Sequence, residues 1–88
     1  MKHVIREIEV IAWFDLEGNI TPLKFKLPSD GESGNITVKI DQVINKTKEG
    51  FAGNTMIVFE CQSMINNTLK RYQIKYEVEK QKWFLHKI

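Results

Sequence analysis

Apolar and polar residues alternate with a period of two along almost the whole chain. In the clearest run, residues 71–78, Tyr72, Ile74, Tyr76 and Val78 alternate with charged or amide side chains. Successive side chains of a β-strand point to opposite faces of the sheet, so this period places the apolar residues on one face. The β-branched and aromatic residues lie inside such runs, which favours strand over helix. The chain is therefore predicted to be almost entirely β.

Six runs of this kind are joined mostly by short connections. They cover roughly residues 7–14, 21–27, 36–44, 56–62, 71–78 and 83–88. A chain of 88 residues has room for one core, and six short strands bury one face most simply by curling together. The prediction is a single small β domain over residues 1–88, an all-β, six-stranded antiparallel meander curled into a small open barrel.

Interruptions of the alternation mark the connections. Pro28–Gly34 and Lys46–Thr55 are predicted loops because glycine and polar residues concentrate there. Pro22 has no amide proton for a sheet ladder, which predicts an edge or a bulge at the start of the second strand. Within residues 41–49, the adjacent Val43 and Ile44 indicate either a β-bulge or one short helix. The bulged strand is the favoured interpretation.

Composition indicates a cytoplasmic protein. The apolar content of 42% and the charged content of 27% are ordinary for a globular domain. Cys61 is the sole cysteine, whereas a small secreted domain would normally depend on disulfides. The first seven residues carry charges where a signal peptide needs an apolar stretch, and no run approaches the ~20 apolar residues of a membrane span.

The sequence contains no recognisable catalytic, cofactor-binding or metal site. Nucleophilic catalysis needs a base beside the nucleophile, and the only histidines, His3 and His86, lie near opposite ends of the chain. Cys61 falls on the apolar parity of its strand, which predicts a buried, inert thiol. A zinc site needs about four cysteine or histidine ligands, and this chain has three such residues. Two carboxylate pairs are interpreted as solvated strand faces: Glu7 with Glu9, and Glu77 with Glu79.

Some apolar residues fall on the second face of their strands. Ile11, Trp13 and Val58 are the main examples. Either these strands contribute to two sides of a core, or the three residues form an exposed patch for a protein partner or for self-association. Tryptophan often dominates interface energy, so Trp13 is the predicted centre of this candidate partner surface.

A second candidate surface is basic. Lys24 and Lys26 share one outward face, and Lys70, Arg71 and Lys75 cluster on and beside another. Small β-barrels bind single-stranded nucleic acid with basic residues on a sheet face and aromatic residues on which bases stack. The competing interpretation is that outward lysines keep an edge strand soluble and unpaired. The net charge of +2 does not by itself single out a nucleic-acid partner.

Five segments carry a resemblance to known sequences: Ile8–Asp15, Gly18–Phe25, Ala52–Asn54, Phe59–Gln62 and Trp83–Leu85. Together they resemble a family of short, uncharacterised proteins of Gram-positive anaerobic bacteria. The shared motifs are strand cores and turns, so the resemblance implies no chemistry. More distantly, the second and last segments are similar to a small β domain associated with translesion DNA polymerases, whose aromatic-rich middle is missing here.

These observations define a leading functional hypothesis and its rivals. The leading one is a non-enzymatic cytoplasmic binding module that acts through a protein partner or through self-association. The alternative is a nucleic-acid-binding accessory protein of DNA repair or replication. An enzyme has no supporting motif, and no cofactor, metal or membrane partner is expected.

Overall fold

The computed structural model describes residues 5–27, 36–51 and 53–86. Within these ranges the chain forms eight β-strands and no helix, which confirms the all-β prediction. The strands are β1 (Arg6–Ile8), β2 (Val10–Phe14), β3 (Ile20–Leu27), β4 (Ile36–Lys39), β5 (Gln42–Phe51), β6 (Asn54–Ile65), β7 (Thr68–Glu77) and β8 (Lys82–His86). The predicted loop Pro28–Gly34 lies outside the described residues.

The strands form two antiparallel sheets. One has five strands in the order β1-β8-β7-β6-β5, and the other has three in the order β2-β3-β4. The structure has more strands than the six predicted because two of the predicted runs are divided. Glu9 separates β1 from β2, and residues 40–41 separate β4 from β5. Neither sheet closes or curls on itself, so the predicted small open barrel is not confirmed.

Backbone hydrogen bonds hold the chain in place where the divided runs pass from one sheet to the other. The amide of Lys26 donates to the carbonyl of Glu9 at 3.0 Å. The amide of Ile40 donates to Leu23 at 2.9 Å, and that of Asp41 donates to Gln62 at 3.1 Å. Glu9 and Ile40 are thus bonded to β3 of the small sheet, whereas Asp41 is bonded to β6 of the large one.

From Gln42 onward, the segment 41–49 is the bulged strand β5. Val43 pairs with Cys61 and Asn45 pairs with Glu60, so Ile44 is the extra residue of a β-bulge. The bulge accounts for the adjacent apolar pair and rules out the helical alternative. The predicted loop Lys46–Thr55 is wrong, because β5 and β6 pair along almost all of it.

A second register shift lies in β3. Ile11 pairs with Lys24 and Ala12 pairs with Pro22, which leaves Leu23 without a partner on β2. The bulge next to Pro22 agrees with the sequence prediction. It also reverses the parity of the first half of the strand: Ile20 and Pro22 are buried. Leu23 is exposed, although its alternation with Phe25 and Leu27 predicts that it faces inward.

The core lies between the two sheets. Phe25 of the small sheet and Ile74 of the large one are almost fully buried, as their parity predicts. The remaining members of the buried cluster are Ile8, Ile20, Val38, Ile40, Phe59, Cys61, Tyr72, Tyr76, Trp83 and Leu85. The rings of Phe25 and Tyr72 meet edge to face at 5.5 Å, which joins the two sheets through aromatic contact. Val78, also predicted to face inward, lies beyond the end of β7 and is exposed.

Candidate functional site

The outer face of the three-stranded sheet brings together residues from both candidate surfaces. Ile11 of β2 lies directly opposite Lys24 of β3, and Lys24 lies directly opposite Lys39 of β4. Side chains directly opposite in an antiparallel sheet project from the same face, so these three form one row. Trp13 and Lys26, each two residues along its own strand, project from that face too. We call these five residues the lysine–tryptophan face.

The other side of this sheet explains why the face is exposed. Val10, Phe25 and Val38 are paired across the three strands and pack into the core, so the alternate residues point to solvent. Trp13 is 64% exposed and Ile11 is 56% exposed. Both side chains therefore have the solvent exposure that an apolar patch for a partner requires. Neither is enclosed in a core on the second face of its strand.

The face is positively charged. Lys24 and Lys39 are direct cross-strand neighbours, and Lys26 is the next residue of the same parity along β3. Within the described ranges, none of these three lysines forms an ion pair. Glu9 is the one acidic residue lining the shallow depression between Ile11, Lys24 and Lys26, whose volume is about 370 Å³. The face therefore presents an excess of cationic groups beside an exposed indole.

Val58 does not belong to this surface. It lies on the outer face of the five-stranded sheet, between Thr47 and Lys75, and is only 3% exposed. The ammonium of Lys75 reaches across β6 to the carboxylate of Glu49 at 3.3 Å. The aliphatic stem of Lys75 is thus the cross-strand neighbour that helps to cover Val58. The predicted grouping of Val58 with the two exposed residues of β2 is wrong.

The other predicted basic cluster is dispersed. Lys70 and Arg71 are consecutive residues of β7 and point to opposite faces of the sheet. The guanidinium of Arg71 donates to the Gln62 side chain at 3.3 Å, and Lys75 is held by Glu49. These three residues do not form the contiguous basic stripe that a phosphate backbone would follow. Only Lys24 and Lys26 remain from the predicted nucleic-acid surface.

Lys39 is the member of the face that the sequence prediction missed. Its outward direction follows from its place between Val38 and Ile40, both of which are buried. Its position opposite Lys24 depends on the pairing of β3 with β4, and therefore on a register that alternation alone does not specify.

The reactive groups of the core are held in their neutral forms. Burial, with a smaller contribution from Glu60, raises the pKa of the Cys61 thiol to about 12, which leaves the weakly nucleophilic thiol at neutral pH. Burial also raises the pKa of Tyr72 to about 12, although its hydrogen bond with Ser63 acts in the opposite direction. Cys61 and Tyr72 thus have structural roles in the core.

One of the four paired carboxylates is not solvated as predicted. Glu77 is buried at the end of β7 and accepts a hydrogen bond of 2.8 Å from the side-chain amide of Asn54. It lies next to the end of the β5–β6 hairpin, where β6 begins at Asn54. This contact ties β6 to β7 and provides no acid–base pair.

Within the described ranges, no three histidine, cysteine, aspartate or glutamate residues are grouped so that they could hold a metal ion. The same part of the chain has no helix of the length and apolarity needed to cross a membrane. The lysine–tryptophan face is accordingly the candidate functional site. Comparisons with protein-family models, with curated proteins and with solved structures give no match to this chain.

Proposed function

We propose that this protein is a non-enzymatic binding module whose lysine–tryptophan face binds an anionic partner. The observation that carries the proposal is the direct opposition of Lys24 and Lys39 beside the exposed Trp13. Like charges directly opposite in a sheet destabilise the pair, and an anion bound between them removes that repulsion. The neighbouring apolar surface provides contact area that a purely ionic site lacks.

The competing explanation for Lys24 and Lys26 is that they protect the edge of a sheet, and the strand order argues against it. Outward lysines protect a sheet edge from pairing with other chains, but β3 is the central strand of its sheet. Both of its edges are already occupied over residues 24–26, by pairing with β4 on one side and by bonding to β2 and Glu9 on the other. Edge protection therefore does not account for these lysines.

Charge also argues against a two-fold dimer through this face. In such a dimer the same patch meets itself, which would bring the three lysines of one copy against the three of the other. That arrangement costs free energy unless an anion lies between the copies. An anionic partner satisfies the same surface without this repulsion.

Retention on immobilised heparin, with elution by a salt gradient, tests this proposal. The Lys24→Glu/Lys26→Glu variant should elute at clearly lower salt than the wild type. The matched control Lys70→Glu/Lys80→Glu changes the net charge equally, and its two residues are also exposed. The salt concentration at which this control elutes should differ much less from that of the wild type. Equal shifts for both variants would show that retention follows net charge alone, and would refute a defined binding face.

A protein partner or self-association has one specific observation in its favour. Leu16 at the tip of the β2–β3 turn is fully exposed, and it lines a depression together with Trp13, Phe14, Asp15 and Glu17. An exposed apolar tip of this kind suits contact with another protein. Sedimentation of the wild type and of Leu16→Ser across a concentration range tests it. A wild type that stays monomeric and captures no partner would exclude this candidate.

We also propose that the two sheets act together as the small open barrel suggested by the sequence. The support is that β1–β2 and β4–β5 each pass from one sheet to the other with a short break. The first crossing is bonded to β3 through Glu9, and the second is bonded to β3 through Ile40 and to β6 through Asp41. A cytoplasmic location is proposed on the single cysteine, a buried thiol suited to a reducing compartment.

A further inference from the structure

We propose that the anionic partner of the lysine–tryptophan face is single-stranded nucleic acid, bound without sequence preference. This inference rests on the proposed function and specifies its partner. Phosphates would lie against Lys24, Lys26 and Lys39, and a base would stack on the indole of Trp13. The argument depends on three features of the face: its charge, its exposed ring and the order in which they follow one another.

The first feature is the arrangement of the charges. Lys24 and Lys39 lie in one row across the sheet, and Lys26 projects from the next row, about 6.6 Å farther along β3. Lysine ammonium groups are compact point charges that contact phosphate oxygens without reading the bases. A row of them across adjacent strands suits a chain of phosphates more than a single small anion.

The second feature is the exposed ring. Trp13 is 64% exposed, and no ring contact is found for it within the described ranges, whereas Trp83 stacks on Phe59 and Tyr76 in the core. An indole free on one face can stack with any base, and such stacking tolerates all sequences because every base has a π-face. Ile11, between Trp13 and the lysine rows, adds apolar contact.

The third feature is the order of these groups along the sheet. Trp13 lies at one end of the face, near Asp15 and Glu17 of the β2–β3 turn. Ile11 lies in the middle with Lys24 and Lys39, and Lys26 lies at the other end beside Glu9. A base stacked on Trp13 would therefore leave its backbone running toward the lysines. A duplex keeps its bases stacked on one another and offers no free base to the ring, so the single-stranded form is favoured. An acidic peptide would meet the lysines but has no regular flat group for the ring.

Fluorescence anisotropy of labelled 20-nucleotide oligothymidylate and oligouridylate tests the inference at low salt. The wild type should bind both, and the affinity should fall as salt is added, by about 0.7 in the logarithm per phosphate contact for each tenfold increase. Trp13→Ala should weaken binding roughly 5- to 150-fold, the range for loss of one stacked base. Trp13→Phe should retain most of the affinity.

The lysine variants separate the face from general charge. Lys24→Glu/Lys26→Glu should weaken oligonucleotide binding strongly and reduce the salt dependence, while Lys70→Glu/Lys80→Glu should leave both nearly unchanged. Thermal unfolding of every variant shows that each one is folded. Quenching of the wild-type tryptophan fluorescence by the oligonucleotide should disappear in Trp13→Ala, because the remaining Trp83 is buried.

Competitors distinguish failure of this inference from failure of the proposed function. Heparin retention that depends on Lys24 and Lys26, without any oligonucleotide binding, would overturn the nucleic-acid inference and leave the anionic binding face standing. Equal binding of polyglutamate or of duplex DNA would overturn it too. Loss of the heparin effect as well would overturn both proposals.

Discussion

The two tryptophans of this protein allow a matched test of where the free surface lies. Trp13 is 64% exposed on the lysine–tryptophan face, and Trp83 is 8% exposed in the core. Trp83 also packs its ring at 5.7 Å from Phe59 and 4.7 Å from Tyr76. The same substitution, Trp→Ala, should therefore have very different effects on stability at the two positions.

The expected magnitudes follow from the covered surface. A tryptophan buries up to about 250 Å², of which roughly a third is covered at Trp13; at ~25 cal/mol per Å² this gives an upper limit of about 2 kcal/mol. Trp13→Ala should cost less than this limit, because the alanine that remains keeps part of the contact. Trp83 is almost completely covered, and its truncation should cost about 3–5 kcal/mol, including the cavity that it leaves.

Urea unfolding measures both effects, since each variant keeps one tryptophan as a fluorescence probe. The free energy of unfolding should fall by at least about 1 kcal/mol more in Trp83→Ala than in Trp13→Ala. Circular dichroism provides a second probe of the same transition, which checks that each variant unfolds in one step. Equal losses at the two positions would mean that Trp13 is a core residue, and the binding face would then have no exposed ring.

Four other predictions concern the core and the charged face. Phe25→Ala and Ile74→Ala should each lower the free energy of unfolding by about 3 kcal/mol in urea titrations, and unchanged midpoints would contradict the core assignment. Cys61 should react slowly with a thiol reagent in native protein and rapidly in denaturant. The raised pKa of Tyr72, from 10.0 to about 12, stabilises the fold fully below pH 10, and this contribution should be lost as the pH rises toward 12. Tyr72→Phe should remove that part of the alkaline loss. Lys39→Glu should raise the free energy of unfolding slightly, by up to about 1 kcal/mol, and with it the thermal midpoint, while weakening heparin retention.

The sequence predicted those parts of the fold in which alternation is unbroken. Residues 72–76 of β7 keep their predicted parity, and Cys61 is buried as expected. Between β6 and β7 the alternation is interrupted at Asn66 and Asn67, which form a turn with φ angles of 50° and 61°. Asparagine tolerates this left-handed region better than most residues, so the turn signal has a direct physical cause.

The failures occur where a bulge or a break changes the phase of the alternation. One extra residue at Leu23 reverses the directions of all side chains on its N-terminal side in β3. The segment Lys46–Thr55 was predicted to be a loop because most of its residues are polar and two are glycines. In the structure most of this segment belongs to β5, which lies at the edge of its sheet and is paired there on one side only. An edge strand exposes much of its surface and can therefore be polar along most of its length.

The candidate site was only partly predictable for the same reason. The alternation predicts four outward-facing side chains, those of Ile11, Trp13, Lys24 and Lys26. It does not predict which strands are neighbours in the sheet. The pairing of β2 with β3 brings the exposed apolar residues beside two of the predicted lysines. The separation of the two sheets places Val58 elsewhere. Cross-strand adjacency is a property of the register, which depends on the whole core.

The composition of the lysine–tryptophan face works against the stability of a small domain. The opposition of Lys24 and Lys39 adds repulsion at the centre of the three-stranded sheet, and Trp13 leaves most of its apolar surface in water. A chain of 88 residues has little stability to lose, and neither feature is needed to cover the core, which the opposite face already encloses. An anion with flat apolar groups relieves both costs at once, because it neutralises the lysines and covers the ring. The binding interpretation therefore explains two unfavourable features of the sheet by a single contact, which neither edge protection nor core packing does.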